Sequence, residues 1–189
     1  TALAKGSDRY KVGKVGTELI YTGTTATGTV KIPATVTIDG ITYKITSIAE
    51  GAFKEDDGLK NVVIGENVTV IGKGAFSECI KLKTVTMGKK VATIGIEAFM
   101  GCAVLNSVTI PRSAKIFMAR AFKGCTKLKT VSIDPGLSTI GIGAFRDCQS
   151  LTMVSVPKSV TGIRTRAFSG CTKLAEVDLR AGLTTIEAY

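Results

Sequence analysis

The sequence predicts a right-handed solenoid of about six 23-residue coils in the α/β class, mostly β-structure with single helical or 3-10 turns. Three observations carry this. An Ala-Phe pair recurs at one fixed, ungapped spacing, with Phe53, Phe76, Phe99, Phe122, Phe145 and Phe168. Leu follows each Phe after six residues, from Leu59 to Leu174, and Val after three more, from Val62 to Val177. Two further apolar slots repeat at the same period: Ile64, Met87, Ile110, Ile133, Val156 and Leu179, then Ile48, Ile71, Ile94, Phe117, Ile140, Ile163 and Ile186. A fixed period of this length marks a unit that buries its apolar face only against its neighbours, so the units stack.

The elements of one coil follow from the spacing. Leu-x-x-Val-x-Ile alternates at its end as a half-buried strand does. Ala-Phe-x-x-Cys-x-x-Leu has spacings of three, which suit one helical or 3-10 turn. Gly72, Gly95, Pro111, Pro135, Gly141 and Pro157 sit between segments and mark corners.

Residues 1–45 precede the first full coil and are expected to form an N-terminal β cap, with the repeat array over 46–189. Within the cap, Val36 and Ile38 lead to Asp39-Gly40, and Ile41, Tyr43 and Ile45 follow. That is a β-hairpin, because Asp-Gly suits a type I′ turn. An extended piece from Glu18 to Thr22 is placed to pair nearby. At the other end Tyr189 falls short of the next Phe slot, so the array is expected to continue beyond it.

Composition excludes several functions. The chain has no His and no Trp. Without His, no Ser-His-Asp or Cys-His catalytic site and no His-bearing metal site can be built. No apolar run reaches the roughly 18 residues that a membrane-spanning helix needs. The formal net charge of +10 favours acidic partners but equally serves solubility. Basic residues interleaved with aromatics are missing, so nucleic acid is not an expected partner. Gly72-Lys73-Gly74 lacks the spacing of a phosphate loop and reads as a corner.

The unit Ala-Phe-x-x-Cys-x-x-Leu-x-x-Val-x-Ile-Pro resembles the BspA-like leucine-rich repeat, also called the Treponema-pallidum-type repeat. The copies at 74–87 (GAFSECIKLKTVTM) and 120–133 (RAFKGCTKLKTVSI) carry the likeness most clearly, together with the lead-in at 36–48. The resemblance spans about 34–189. It implies a leucine-rich-repeat solenoid on a bacterial or protozoan surface or secreted from the cell. Some members of the family act as adhesins for host matrix proteins. The family offers no catalytic residues to carry over, so a non-enzymatic protein without a cofactor is expected.

Cys79, Cys102, Cys125, Cys148 and Cys171 share one slot, with Asp56 in the first copy. Equivalent residues in stacked parallel strands lie about 4.8 Å apart, beyond the roughly 3.8 Å Cβ separation of a disulfide. A straight row of sulfurs also cannot surround a tetrahedral metal. A buried ladder of free thiols is therefore expected.

The best candidate binding surface is the outward row on the strands. Thr86, Thr109 and Ser132 stand between the inward Val and Ile slots, and Lys60, Lys83 and Lys129 stand just after the Leu slot. This strip is hydroxyl-lined, basic on one flank, and turns acidic at Glu176 and Asp178. It suits an extracellular protein, including a host matrix protein, or a glycan. The alternatives are a structural spacer and a carbohydrate-binding module of a larger surface protein, and this segment is expected to be monomeric. One copy is irregular: Ala114 and Phe117 replace Val and Ile, with Ile116 and Met118 beside them. Either the core repacks around the larger ring, or Ile116 and Met118 form an exposed patch.

Overall fold

The computed structural model describes residues 2–180 and 182–187. The Leu-x-x-Val-x-Ile segments form β7 (Leu59–Ile64), β9 (Thr84–Thr86), β11 (Ser107–Ile110), β13 (Thr130–Ile133), β15 (Met153–Val156) and β17 (Glu176–Leu179). They pair in parallel, one coil on the next, with β4 (Gly28–Ile32) added beyond β7 to give seven strands. The Val and Ile slots are in register across the sheet, as in Val108↔Val131 and Ile110↔Ile133. Alternation holds along each strand: Val131 and Ile133 point inward while Thr130 and Ser132 face outward.

The seventh strand lies within the segment expected to cap the array. Val30 and Ile32 of β4 pair with Val62 and Ile64. Val30 stands farther ahead of Val62 in the chain than Val62 does of Val85, because a hairpin is inserted between the two paired strands. The hairpin is β5 (Thr35–Ile38) and β6 (Ile41–Ile48), closed at Ile38↔Ile41. Its turn residues Asp39 and Gly40 have φ of 50° and 78°, the left-handed pair that a type I′ turn requires. The position-45 boundary falls inside β6.

The second repeated strand slot forms β8 (Val70–Ile71), β10 (Thr93–Ile94) and β12 (Ile116–Phe117), which continue from β6, and then a separate sheet of β14 (Thr139–Ile140), β16 (Gly162–Ile163) and β18 (Thr185–Ile186). The break falls at the irregular copy. There Met118 occupies the tight slot held by Gly72, Gly95 and Gly141 in other coils, and Phe117 replaces Ile. Phe117 is buried and tilts against Phe122 and Phe145, at 5.7 and 5.4 Å between ring centroids. Ile116 and Met118 remain exposed. Both readings of this copy hold: the core repacks around the ring and its neighbours stay outside.

The Ala-Phe-x-x-Cys-x-x-Leu segment contains no α-helix among the described residues. It is a succession of single turns in which Cys79 N–H donates to the Phe76 carbonyl and Leu82 N–H to the Cys79 carbonyl. Each coil passes twice through the left-handed region. One slot holds Gly51, Gly74, Glu97, Arg120, Gly143 and Arg166, and the other Glu55, Glu78, Gly101, Gly124, Asp147 and Gly170. Half of these residues are charged instead of Gly, which hides the turn positions from a reading of glycines alone.

The core is a column. Phe53, Phe76, Phe99 and Phe122 stack at 5.0 Å per step, within 10° of parallel. The step widens to 5.7 Å between Phe122 and Phe145, where Phe117 inserts. At the N-terminal end Tyr21 stacks on Phe53 and Tyr10 meets Tyr21 edge-on. Both hydroxyls reach Asp8, Tyr21 at 2.8 Å and Tyr10 at 3.3 Å, so the apolar column ends in satisfied polar tips. These residues come from β2 (Asp8–Val12) and β3 (Glu18–Thr24), which with β1 (Ala2–Lys5) form an antiparallel unit whose β3 runs parallel to β6. In the last coil Leu179 and Ile186 are exposed and Leu174 and Val177 only partly buried.

Candidate functional site

The cysteine ladder belongs to the core. Cys79, Cys102, Cys125 and Cys148 are fully buried and Cys171 partly so, all as free thiols. Each S–H donates to the carbonyl of the Phe 26 residues earlier, as Cys79 to Phe53 at 2.9 Å and Cys125 to Phe99 at 3.2 Å. The slot therefore wants a small apolar group carrying one donor, which spacing alone does not reveal. Burial pushes the Cys79 thiol up to about 12 and leaves Cys125 far above the ordinary range. Such thiols are protonated and inaccessible, unsuited to nucleophilic chemistry. Among the described residues no group of three His, Cys, Asp or Glu side chains is arranged to hold a metal.

The seven strands share one outward face, indented between β13 and β15. Thr86, Thr109 and Ser132 are exposed on β9, β11 and β13, and Lys60, Lys83 and Lys129 are exposed on the adjoining column. That column is tied together by its backbone. Lys83 N–H donates to the Lys60 carbonyl at 2.7 Å, Asn106 to Lys83 at 3.3 Å, and Lys129 to Asn106 at 2.8 Å. Lys60 and Lys83 thus sit one coil apart, about 4.8 Å along the stack. Among the described residues none of the three lysines is in an ion pair, although Lys81 nearby meets Asp57 at 3.8 Å. Two like charges held side by side without a counter-charge repel each other, and an anionic partner relieves that repulsion.

The strip is not uniform towards its far end. Asp178 accepts from Ser155 Oγ at 3.0 Å and meets Arg180 Nε at 3.4 Å, so the acid foreseen there is already partnered. A groove of about 600 Å³ opens over β13 and β15, and Ser132 of the strip is part of its wall. Its other walls include Met153, Lys158 and Arg180, none of which the repeat pattern singles out. No described aromatic side chain is fully exposed anywhere on the chain.

Comparison with known proteins agrees with this geometry. No curated protein matches the chain. Among solved structures, a T. pallidum leucine-rich repeat protein is 28% identical with a TM-score of 0.86, covering 96% of this chain and 83% of that one. A leucine-rich cell surface protein from Faecalibacterium prausnitzii is 28% identical with a TM-score of 0.68, over 94% of this chain and 54% of its own. The pneumococcal vaccine antigen PcpA shares the fold at 21% identity and a TM-score of 0.80, over 96% of this chain and 50% of that one. The chain therefore spans about half the length of the latter two. The family model for the BspA type leucine-rich repeat region matches in six copies over residues 29–106 and 92–189. With the 23-residue coils and the stacked Phe column, that match makes the chain a member of the BspA-type leucine-rich repeat family.

Proposed function

We propose that this chain is a non-enzymatic binding module of a cell-surface or secreted protein, and that it docks an extracellular protein of the matrix type on the outward face of its seven-stranded sheet. The observation that carries the reading is the column of Lys60, Lys83 and Lys129, exposed and without ion pairs among the described residues, beside the hydroxyls of Thr86, Thr109 and Ser132. Flat, hydroxyl-lined strands offer backbone-scale complementarity, and the lysines supply attraction that salt weakens. Family membership supports a protein-binding repeat, and the description of one similar structure as a cell surface protein supports the location. A glycan is the weaker ligand, because sugar rings stack on exposed aromatics and this face has none among its described residues.

The test is an array of purified extracellular matrix proteins and glycans probed with the chain at low and at 0.5 M salt. Binding to a matrix protein that falls with salt and is lost when Lys60, Lys83 and Lys129 are all changed to Glu supports the reading. Silence on both halves of the array overturns it in favour of a structural spacer.

A further inference from the structure

The parallel sheet has two weak seams, and both fall where a proline follows the strand. Two seams are closed by a bond from the residue just past one strand to the last carbonyl of the strand before it. Asp134 N–H donates in this way to the Ile110 carbonyl at 3.0 Å, and Arg180 N–H to the Val156 carbonyl at 3.3 Å. Those two seams, β11–β13 and β15–β17, each hold four residue pairs. In two further copies the donor slot is Pro111 or Pro157, which has no N–H to give, and in the β4–β7 and β7–β9 seams it is Gly65 or Gly88, where five and three residue pairs form without that bond. The β9–β11 seam then holds one pair and the β13–β15 seam two, ending at Val131↔Val154.

Beyond Val154 the strands β13 and β15 part, and Ser132 and Ile133 have no ladder partner on the β15 side. The 600 Å³ groove lies over this parting, with Pro157 in its wall. Val131 and Ile133 each show 7% of their surface here, against none for Ile110, while the same inward slots in the β9 coil, Val85 and Met87, are more open still. Met153 is 53% exposed on the groove's side. Lys158 and Arg180 line it, and no carboxylate does. Lys158 has no ion pair among the described residues, while Arg180 shares Asp178. The volume is that of a small-ligand or side-chain pocket.

We infer that the parting of β13 and β15, opened by Pro157, is a specificity pocket that takes an extended segment of the partner protein carrying an acidic side chain next to an aliphatic one. The aliphatic group meets Met153, Val131 and Ile133, the carboxylate meets Lys158 and Arg180, and the unpaired Ile133 carbonyl accepts a backbone N–H from the segment. The inference rests on the binding face proposed above and names the partner's chemistry at one point on it.

The test is an amide NMR titration of the whole chain with a terminally blocked hexapeptide of alternating valine and glutamate. Shifts confined to residues 130–133, 152–158 and 180 are expected, with none from the valine–lysine counterpart. Lys158→Glu is expected to weaken the peptide at least tenfold. Pro157→Ala restores the missing donor, so it should slow hydrogen exchange in the β13–β15 seam and weaken the peptide as well. Pro111→Ala should tighten its own seam and leave the peptide unaffected. Peptide binding unchanged by Lys158→Glu and Pro157→Ala, shifts confined to the Lys60–Lys129 column, or no shifts at all, overturns the pocket. The first two outcomes leave the wider binding face standing, which the array tests separately.

Discussion

Replacing Phe99 by Ala tests the column that holds the coils together. The side chain is fully buried, and its ring lies 5.0 Å from Phe76 and 5.0 Å from Phe122, within 6° of parallel on both sides. A Phe side chain removes roughly 150–250 Å² from water, worth about 4–6 kcal/mol at about 25 cal/mol per Å². The methyl that remains recovers part of this, and the unfilled space adds to the loss, so the net cost is about 3–5 kcal/mol. Each lost ring pair accounts for about 0.5–1.5 kcal/mol of it. Urea unfolding followed by far-ultraviolet circular dichroism reads the change, with the slope compared between variants to detect a split of the array. A double-mutant cycle with Phe122→Ala should show coupling of about 0.5–1.5 kcal/mol, whereas Phe53→Ala paired with Phe145→Ala, four coils apart, should be additive within about 0.5 kcal/mol. A cost below about 1.5 kcal/mol for Phe99→Ala, or equal coupling for both pairs, refutes the picture of coils joined through nearest-neighbour rings.

Further outcomes follow from the same geometry. Gly95→Ala should destabilise by about 1–3 kcal/mol, since an added Cβ meets the Gly72 carbonyl carbon at 2.8 Å; Gly162→Ala, whose Cβ meets only Thr139 at 3.6 Å, should instead gain about 0.4–1 kcal/mol, and thermal melts that do not separate the two refute the steric argument. Glu55→Gly should stabilise by about 1 kcal/mol, because Glu55 is held at φ 61° and its contact to Lys54 is solvent-exposed; a lower melting temperature speaks against it. Alkaline pH should weaken the fold. Burial holds the Cys79 thiol at about 12 and Cys171 at about 11, so an unfolded thiol ionises first; stability is complete below the ordinary thiol range and falls as pH rises from about 9 towards these values, by on the order of 1 kcal/mol per pH unit for each fully buried thiol. Urea midpoints equal at pH 8 and pH 10.5, or a drop undiminished by Cys102→Ala with Cys125→Ala, count against the thiols as its source.

Much of the fold was legible because the repeat reports side-chain direction. Leu, Val and Ile at fixed offsets mark inward slots, and Asp39-Gly40 marks its hairpin, since both depend on local backbone geometry. Strand β4 was hidden because the inserted hairpin stretches its spacing beyond the repeat period. The left-handed turn slots were half hidden by Glu, Arg and Asp standing where other coils have Gly. The proposed strip could be drawn from alternation alone, but the groove could not. Its position depends on which backbone amide is missing between two coils, a property of strand pairing that the inward–outward pattern does not carry. The proline corners were visible as corners; their effect on the neighbouring strand was not.

The proline slot also bears on how such an array diversifies. The slot lies past the strand and outside the column of rings, so exchanging its residue leaves Leu, Val, Ile and Phe untouched. A proline there removes one possible rung between two adjacent coils, and the slot comes round again in every coil. A chain of interchangeable coils can thus change the pairing between neighbouring strands without rebuilding its interior.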